Sequence, residues 1–200
     1  MSDLLPLAPE QQAALEAAYA TPPRAYHHFG HAQDVLEQVE QVQRELGWRH
    51  PDEVRMAALY HDAIYDPARK DNEARSADLA RAHLARWMPA RVDAERVAEL
   101  IVLTARHGQF KPGELDPEAE LFLDCDMAIL GAAPEAFDAY HRGIAAEYRP
   151  HVPSWLFKLK RKQFLKALLG AERIYLSSHF HARLDAAARG NLRRAVTEKR

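Results

Sequence analysis

The sequence has one cysteine, Cys125, and no long apolar segment. A single cysteine excludes an intrachain disulfide framework and fits a reducing compartment, so we expect a cytoplasmic protein. The longest runs without Asp, Glu, Lys or Arg span nine residues, 25–33 and 174–182, whereas a membrane-spanning helix needs about 20 apolar residues. The first residues lack the basic stretch and apolar core of a secretory signal. We therefore expect no membrane partner.

Strand signals are also missing. The sequence contains no Asn-Gly or Asp-Gly hairpin turn and no alternation longer than a few residues, while strong helix formers dominate it. Its 200 residues are 48% hydrophobic and 28% charged, a composition that excludes disorder, collagen and coiled-coil fibres. We predict an all-α fold, a single-domain bundle of eight or nine helices over residues 1–200.

Prolines, glycines and capping residues mark the ends of these helices. Gly131 is positioned as the C-terminal cap of the sixth helix. The nine helices are predicted to run approximately over 9–20, 30–46, 51–65, 72–87, 93–106, 117–130, 134–148, 153–169 and 178–197.

Charge is divided unevenly along the chain. Residues 1–150 hold 15 Lys and Arg against 26 Asp and Glu, and residues 151–200 hold 12 against 3. Either the two segments attract each other within one fold, or the basic segment faces an anionic ligand. Residues 155–166 are basic and amphipathic, and we interpret them as a packed helix with a solvated basic face. No nucleic-acid motif accompanies them, so no nucleic acid partner is expected.

Ionisable residues interrupt two apolar segments. His61 and Asp62 are the only strongly polar pair in the third helix, and Asp124 and Asp126 interrupt the sixth. A buried ionised Asp is costly unless it is paired or bound to a metal. Asp126 shares a helical face with apolar residues and should point inward, whereas Asp124 has the weaker claim and is a candidate partner for an arginine.

A histidine cluster, His27, His28 and His31, lies at the start of the second helix. Helical spacing of three or four would place two of these on one face. Two imidazoles and two carboxylates make a good site for a divalent first-row metal. The alternative is that the acids pair with buried arginines. The candidate ligands are His31, His61, Asp62 and Asp126.

The order of these residues resembles the HD-domain superfamily of metal-dependent phosphohydrolases. That pattern is a lone His, an adjacent His-Asp pair about 30 residues later, and a distant Asp on a later helix. The similarity is closer to a small bacterial group generally described as predicted HD phosphohydrolases. The resembling segments are 26–31, 61–67, 71–77, 123–131, 173–175 and 188–193.

This resemblance, over about residues 24–195, implies a helical bundle around a metal. The HD core would cover about residues 24–131, with C-terminal helices over about 134–197 packed on it. The same four candidate ligands would hold one or two divalent ions of Mn, Co, Ni, Mg or Fe. Metal-activated water would then cleave a phosphoester of a small phosphorylated molecule or nucleotide.

The resemblance also implies roles for residues near the ligands. Glu73 would assist the water, alongside Asp62, although a first-turn Glu is also favoured by the helix dipole. Arg75, like Lys70, would hold phosphate unless it is simply a solvated charge. His107, on the stripe of Leu100, Leu103 and Thr104, would serve the active site unless it is a core histidine. His27 and Asp66 are further auxiliary candidates. The alternative for Asp66 is that it simply ends a helix.

Two other functions fit the same residues. An HD-type di-iron oxygenase would take extra ligands from His83 and His107. Independently of that alternative, His28 is a further candidate ligand, because it replaces the small polar residue that the resembling bacterial group usually has at this position. A non-catalytic module would use the metal only to join helices. The expected partner is a small anionic phosphorylated substrate, and a homodimer is compatible with such a chain.

Overall fold

The structure is a computed structural model that describes residues 6–197. Within this range the chain forms nine α-helices and one short 3-10 helix, and no strand. The all-α prediction is confirmed. The helices are α1 Pro9–Ala20, α2 Phe29–Glu45, α3 Pro51–Tyr60, α4 Asn72–Trp87, α5 Ala94–Thr104, α6 Pro117–Met127, α7 Pro134–Tyr148, α8 Ser154–Gly170 and α9 Ser178–Thr197, with the 3-10 helix at Ala128–Gly131.

Local sequence accounts for many helix ends. Proline occupies the first turn of α1, α3, α6 and α7, where its missing N–H costs nothing. The side chains of Asp93 and Asp116 each accept two backbone N–H groups at the starts of α5 and α6. Gly47, at a φ of 79°, follows α2 and donates its N–H to the carbonyl of Val42, as expected of a helix-ending glycine.

The end of α3 differs from the prediction. The helix was expected to reach Tyr65 but stops at Tyr60, because backbone groups beyond it bond to other segments. Ser76 Oγ accepts the N–H of Ile64 and donates to its carbonyl, at 3.0 and 3.1 Å. The guanidinium of Arg24 donates hydrogen bonds to the backbone carbonyls of residues 62–63.

Two further helices are shorter than predicted. α5 stops at Thr104, two residues early, where the Thr hydroxyl donates to the carbonyl of Ile101 at 2.7 Å and competes with the helical bond. α6 passes into the 3-10 helix that ends at Gly131. A Cβ on Gly131 would lie 2.7 Å from Leu184 Cβ, so this glycine permits a close approach to α9 as well as ending the helix.

The chain divides into two compact units with the boundary between Ala105 and Arg106. This boundary lies inside the segment 24–131 that the resemblance implies as one core. The single domain over 1–200, like the packing of 134–197 on that core, stays a prediction, and each unit is described by itself.

In the first unit, α3 packs against α2, α4 and α5, and its second half, residues 56–60, is buried on all sides. Its last residues contact α1 and α4 through polar groups. The Tyr19 hydroxyl donates to the carbonyl of Leu59 at 3.0 Å. The Tyr60 hydroxyl receives a hydrogen bond from Gln11 and contacts His83, both at 3.1 Å. These contacts fix the end of α3, next to His61 and Asp62.

In the second unit, α9 packs against the 3-10 helix and α8. Asn191 Nδ2 donates to the carbonyls of Leu130 and Ala132, both at 2.9 Å. Cys125, in the last turn of α6, is 1% exposed, and burial raises the pKa of its thiol well above the usual value.

The basic helix α8 packs one face inward, with Leu165 and Leu168 buried, and leaves Trp155 and Leu159 exposed among its lysines. This agrees with the interpretation of a packed helix with a solvated basic face. None of the helices in the described part of the chain is long and apolar enough to cross a membrane.

Candidate metal centre

Three side chains of the first unit converge on one point. His31 lies in the first turn of α2, His61 caps the end of α3, and Asp62 follows it. The two Nε2 atoms of His31 and His61 are 3.2 Å apart, and Asp62 Oδ2 lies 3.1 Å from His61 Nε2 and 3.5 Å from His31 Nε2. The structure thus brings together three of the four predicted ligands.

Hydrogen bonding sets the state of the His61 ring. Its Nδ1 lies 2.9 Å from the carbonyl of Ala58, and a carbonyl can only accept, so Nδ1 carries the proton. In the neutral ring Nε2 then presents a lone pair towards His31 and Asp62. A backbone carbonyl behind a histidine in this way is the usual support for a metal ligand.

The distances fit a cation. Ligand atoms about 2.0–2.2 Å from one ion are roughly 3 Å apart when they occupy neighbouring positions. The three measured separations of 3.1–3.5 Å agree with that.

Neighbouring positive charge keeps Asp62 ionised despite its burial. His31 is 4% exposed, His61 1% and Asp62 9%. Burial by itself raises the pKa of Asp62, but His61, His27 and His31 in their protonated forms, together with the hydrogen bond that a protonated His61 gives, outweigh it. The pKa of the Asp62 carboxyl is therefore held below its usual range, and the group is a ready anionic ligand.

The segment before α2 lines the same region. The Tyr26 ring lies over His31 with centroids 4.7 Å apart, and the His27 ring stacks on Tyr65 at 4.0 Å. His27 also lowers the pKa of Asp62 by its charge. It is therefore near the three converging atoms, in agreement with an auxiliary position, although its role stays a prediction.

Glu73 lies in the first turn of α4 and is half-buried. Burial raises the pKa of its carboxyl, and the negative charge of Asp62 adds to the rise. Arg75 is exposed and, because residues two apart on a helix point to different sides, it is directed away from Glu73. Lys70 is exposed as well. The phosphate-binding roles of the two basic residues stay predictions.

Asp66 serves the turn before α4. Its Oδ1 accepts the N–H of Ala68 at 2.9 Å, and its backbone N–H and carbonyl both bond to the Asn72 side chain. Because α3 already ends at Tyr60, Asp66 does not stop that helix, and its auxiliary role stays a prediction.

The second unit contains the remaining predicted ligand. Asp126 lies near the end of α6, and its Oδ2 is 3.3 Å from His107 Nε2. His107 lies in the turn after α5 rather than on its inward stripe, because α5 ends at Thr104. Both side chains are mostly buried, 18% exposed for His107 and 13% for Asp126. The metal-ligand role of Asp126 and the active-site role of His107 stay predictions.

Two other histidines have contacts of their own. His28 is exposed and caps α2, with its Nδ1 accepting the N–H of Gly30 at 3.0 Å. His27 and His28 precede the helix, so the helical spacing expected for this cluster does not apply to them. His83 contacts the Tyr60 hydroxyl and the Trp87 ring. Burial raises the pKa of the Tyr60 phenol to about 12, so the hydroxyl keeps a proton that it can donate.

Among the described residues, Asp124 pairs with the start of α9 and not with an arginine. Its carboxylate accepts the N–H groups of Leu176 and Ser177 and the Ser177 hydroxyl, at 2.6–2.8 Å. Burial nevertheless raises the pKa of Asp124 to about 7. This residue ties α6 to the start of α9.

Sequence reasoning missed the groups that support the ligands. The Ala58 carbonyl orients His61, and Arg24 bonds the backbone around Asp62. The only signal for Arg24 was its position as the last charged residue before the uncharged run 25–33. A main-chain carbonyl leaves no signal in a sequence.

Comparison of the chain with protein-family models, with curated proteins and with solved structures finds no match.

Proposed function

We propose that this protein is a metal-dependent phosphohydrolase of the HD type, with His31, His61 and Asp62 as ligands of a divalent first-row metal ion. The observation that carries the proposal is the convergence of two imidazole Nε2 atoms and one carboxylate oxygen within 3.5 Å. Two neutral nitrogens and an ionised oxygen suit Mn, Fe, Co or Ni better than Mg.

A bound dication would lower the pKa of water and polarise a phosphoryl oxygen. The residues of the chain supply the rest of the chemistry. Asp62 contributes negative charge to the centre. Glu73 takes the proton from the attacking water, since its half-buried carboxyl interacts with the charges of Asp62, His27 and His61. The substrate in this proposal is a small phosphorylated molecule or nucleotide, and the protein acts in the cytoplasm.

Elemental analysis of untagged protein tests the metal site. We expect about one equivalent of a transition metal in the native protein and almost none in Asp62→Ala. Asp138→Ala is the matched control, since Asp138 forms a half-exposed ion pair with Arg194 and should keep the metal. Native protein that takes up no Mn²⁺, Co²⁺ or Ni²⁺ would overturn the proposal.

Activity on a panel of phosphoesters and nucleotides tests the reaction. We expect hydrolysis by the metal-loaded protein that Asp62→Ala abolishes and that Glu73→Gln reduces by about 10²–10⁴-fold. Iron with oxygen uptake and no hydrolysis would instead identify the oxygenase. That alternative needs His83 as an extra ligand, whereas His83 contacts the Tyr60 hydroxyl in the structure. Metal that raises the melting temperature without any hydrolysis would identify a structural role.

A further inference from the structure

Arg24, in the segment between α1 and α2, makes four hydrogen bonds to backbone carbonyls. One terminal nitrogen donates to His27 at 2.9 Å and to Asp62 at 2.5 Å, and the other donates to Ala18 at 3.0 Å and to Ala63 at 2.9 Å. A single guanidinium thus joins three parts of the first unit: the last turn of α1, the segment before α2, and the chain just beyond α3.

Three of the four carbonyls, those of Ala18, Asp62 and Ala63, lie at or beyond the C-terminal ends of α1 and α3, where helix carbonyls lack intrahelical partners. A cation is also favoured there by the negative end of the helix dipole. The guanidinium carbon lies 5.2 Å from the centre of the Tyr19 ring and 5.9 Å from that of Tyr65. Rings and carbonyls together restrict the orientation of the planar group.

The two segments that carry the candidate ligands are distant in sequence. His31 comes from the segment that begins α2, and Asp62 follows α3. Arg24 connects them, because the same nitrogen bonds the carbonyl of Asp62 and the carbonyl of His27, four residues before His31.

We propose that Arg24 is a positioning residue of the metal centre, holding the backbone of Asp62 in place relative to the segment 27–31. This inference rests on the proposed function, since it assumes that Asp62 is a ligand. Arg24 itself does not touch the metal. It acts by keeping Asp62 Oδ2 within reach of the two imidazoles, and such supporting groups typically change metal affinity by about 10–100-fold.

Another arginine offers a matched control. Arg189 in α9 donates to the carbonyls of Leu169, Ala171 and Glu172 at 2.8–3.0 Å, and to Asp185. It makes the same kind of contact in the second unit. Arg24→Met and Arg189→Met therefore both remove an arginine from a set of backbone carbonyls, but only the first involves Asp62.

The experiment titrates Co²⁺ into metal-free native protein, Arg24→Met, Arg189→Met and Asp62→Ala, and records the visible absorption bands of bound Co²⁺. Circular dichroism and the melting temperature are measured beside each titration. We expect Arg24→Met to bind Co²⁺ at least tenfold more weakly, with altered bands. Arg189→Met should melt at a lower temperature but bind within about twofold of the native protein.

Arg24→Lys serves if Arg24→Met does not fold. Its single ammonium cannot span four carbonyls as a planar guanidinium does, so we expect intermediate affinity. Native affinity and native bands in either folded Arg24 variant would overturn the positioning role, as would an equal loss of affinity in Arg189→Met. Unchanged binding by Asp62→Ala would instead overturn the proposed function, so the two failures are distinguishable.

Discussion

The two units each bring histidine and carboxylate together, but in different ways. In the first unit, His61 and Asp62 lie just beyond the end of α3 and meet His31 in a nearly inaccessible cluster. In the second unit, Asp126 lies within α6 and meets His107, which lies in a turn, in a more exposed pair.

Helix ends explain part of this difference. Adjacent residues in a helix point in different directions and do not face each other. Because α3 stops at Tyr60, His61 and Asp62 lie where the chain leaves the helix, and their side chains reach the same point, with Nε2 and Oδ2 3.1 Å apart. Free carbonyls at such an end also give supporting side chains something to bind, as Arg24 does.

The strongest test of this comparison removes one histidine from each unit. We expect His61→Ala to lower the affinity for Mn²⁺ or Co²⁺ by more than about 100-fold, since it deletes a ligand whose lone pair is oriented by Ala58. The His107→Ala variant should still bind at least one equivalent of the metal ion. Isothermal titration calorimetry on the two variants measures both, and equal losses would contradict the distinction.

Asp126→Asn examines whether the second unit contributes to metal binding. The sequence predicts Asp126 as a ligand, so we expect affinity to fall by about 10–100-fold. The same titration measures it, with Asp138→Asn as the control for losing a carboxylate in the second unit. Native affinity in Asp126→Asn would remove Asp126 from the ligand set.

A third prediction concerns a carboxylate of the second unit with a structural role. Asp185 accepts the N–H of Ile174 at 2.8 Å and pairs with Arg189. Burial alone would raise its pKa, but these partners lower it overall. The stability that Asp185 contributes is therefore complete above its unfolded pKa of about 3.9 and is lost as pH falls through the lower folded pKa.

We accordingly expect Asp185→Asn to lower the free energy of unfolding by about 2 kcal/mol at pH 7. This difference from the native protein should shrink below about pH 4. Urea unfolding across pH measures this. Asp138→Asn, which removes a half-exposed ion pair, should change stability by under about 1 kcal/mol. A difference for Asp185→Asn that grows on acidification would contradict the assignment.

The smallest effect is expected at His28. As the cap of α2, it should cost about 1 kcal/mol when replaced by Ala and much less when replaced by Asn, which also caps helices. Metal content should stay unchanged in both variants. Thermal unfolding and elemental analysis check this, and loss of metal in His28→Asn would make His28 a ligand after all.

Sequence patterns predicted the all-α fold and most helix ends because prolines, glycines and capping residues act locally. His61 and Asp62 stand out in the sequence as polar residues in an apolar segment, and His31 as part of a histidine cluster, so all three were candidates before the structure was known. What could not be predicted depends on contacts between distant residues. α3 ends early because Ser76 and Arg24 bond the chain beyond it, and neither contact appears in a local pattern.

The labelling rate of Cys125 reports how often the interior of the second unit opens. With its side chain 1% exposed and the pKa of its thiol raised, a thiol reagent reacts only when α6 opens. It is the single cysteine of the chain, so one labelling rate reports one opening event. Measured with and without Mn²⁺, that rate shows whether occupying the metal centre also stiffens the helix that carries Asp126.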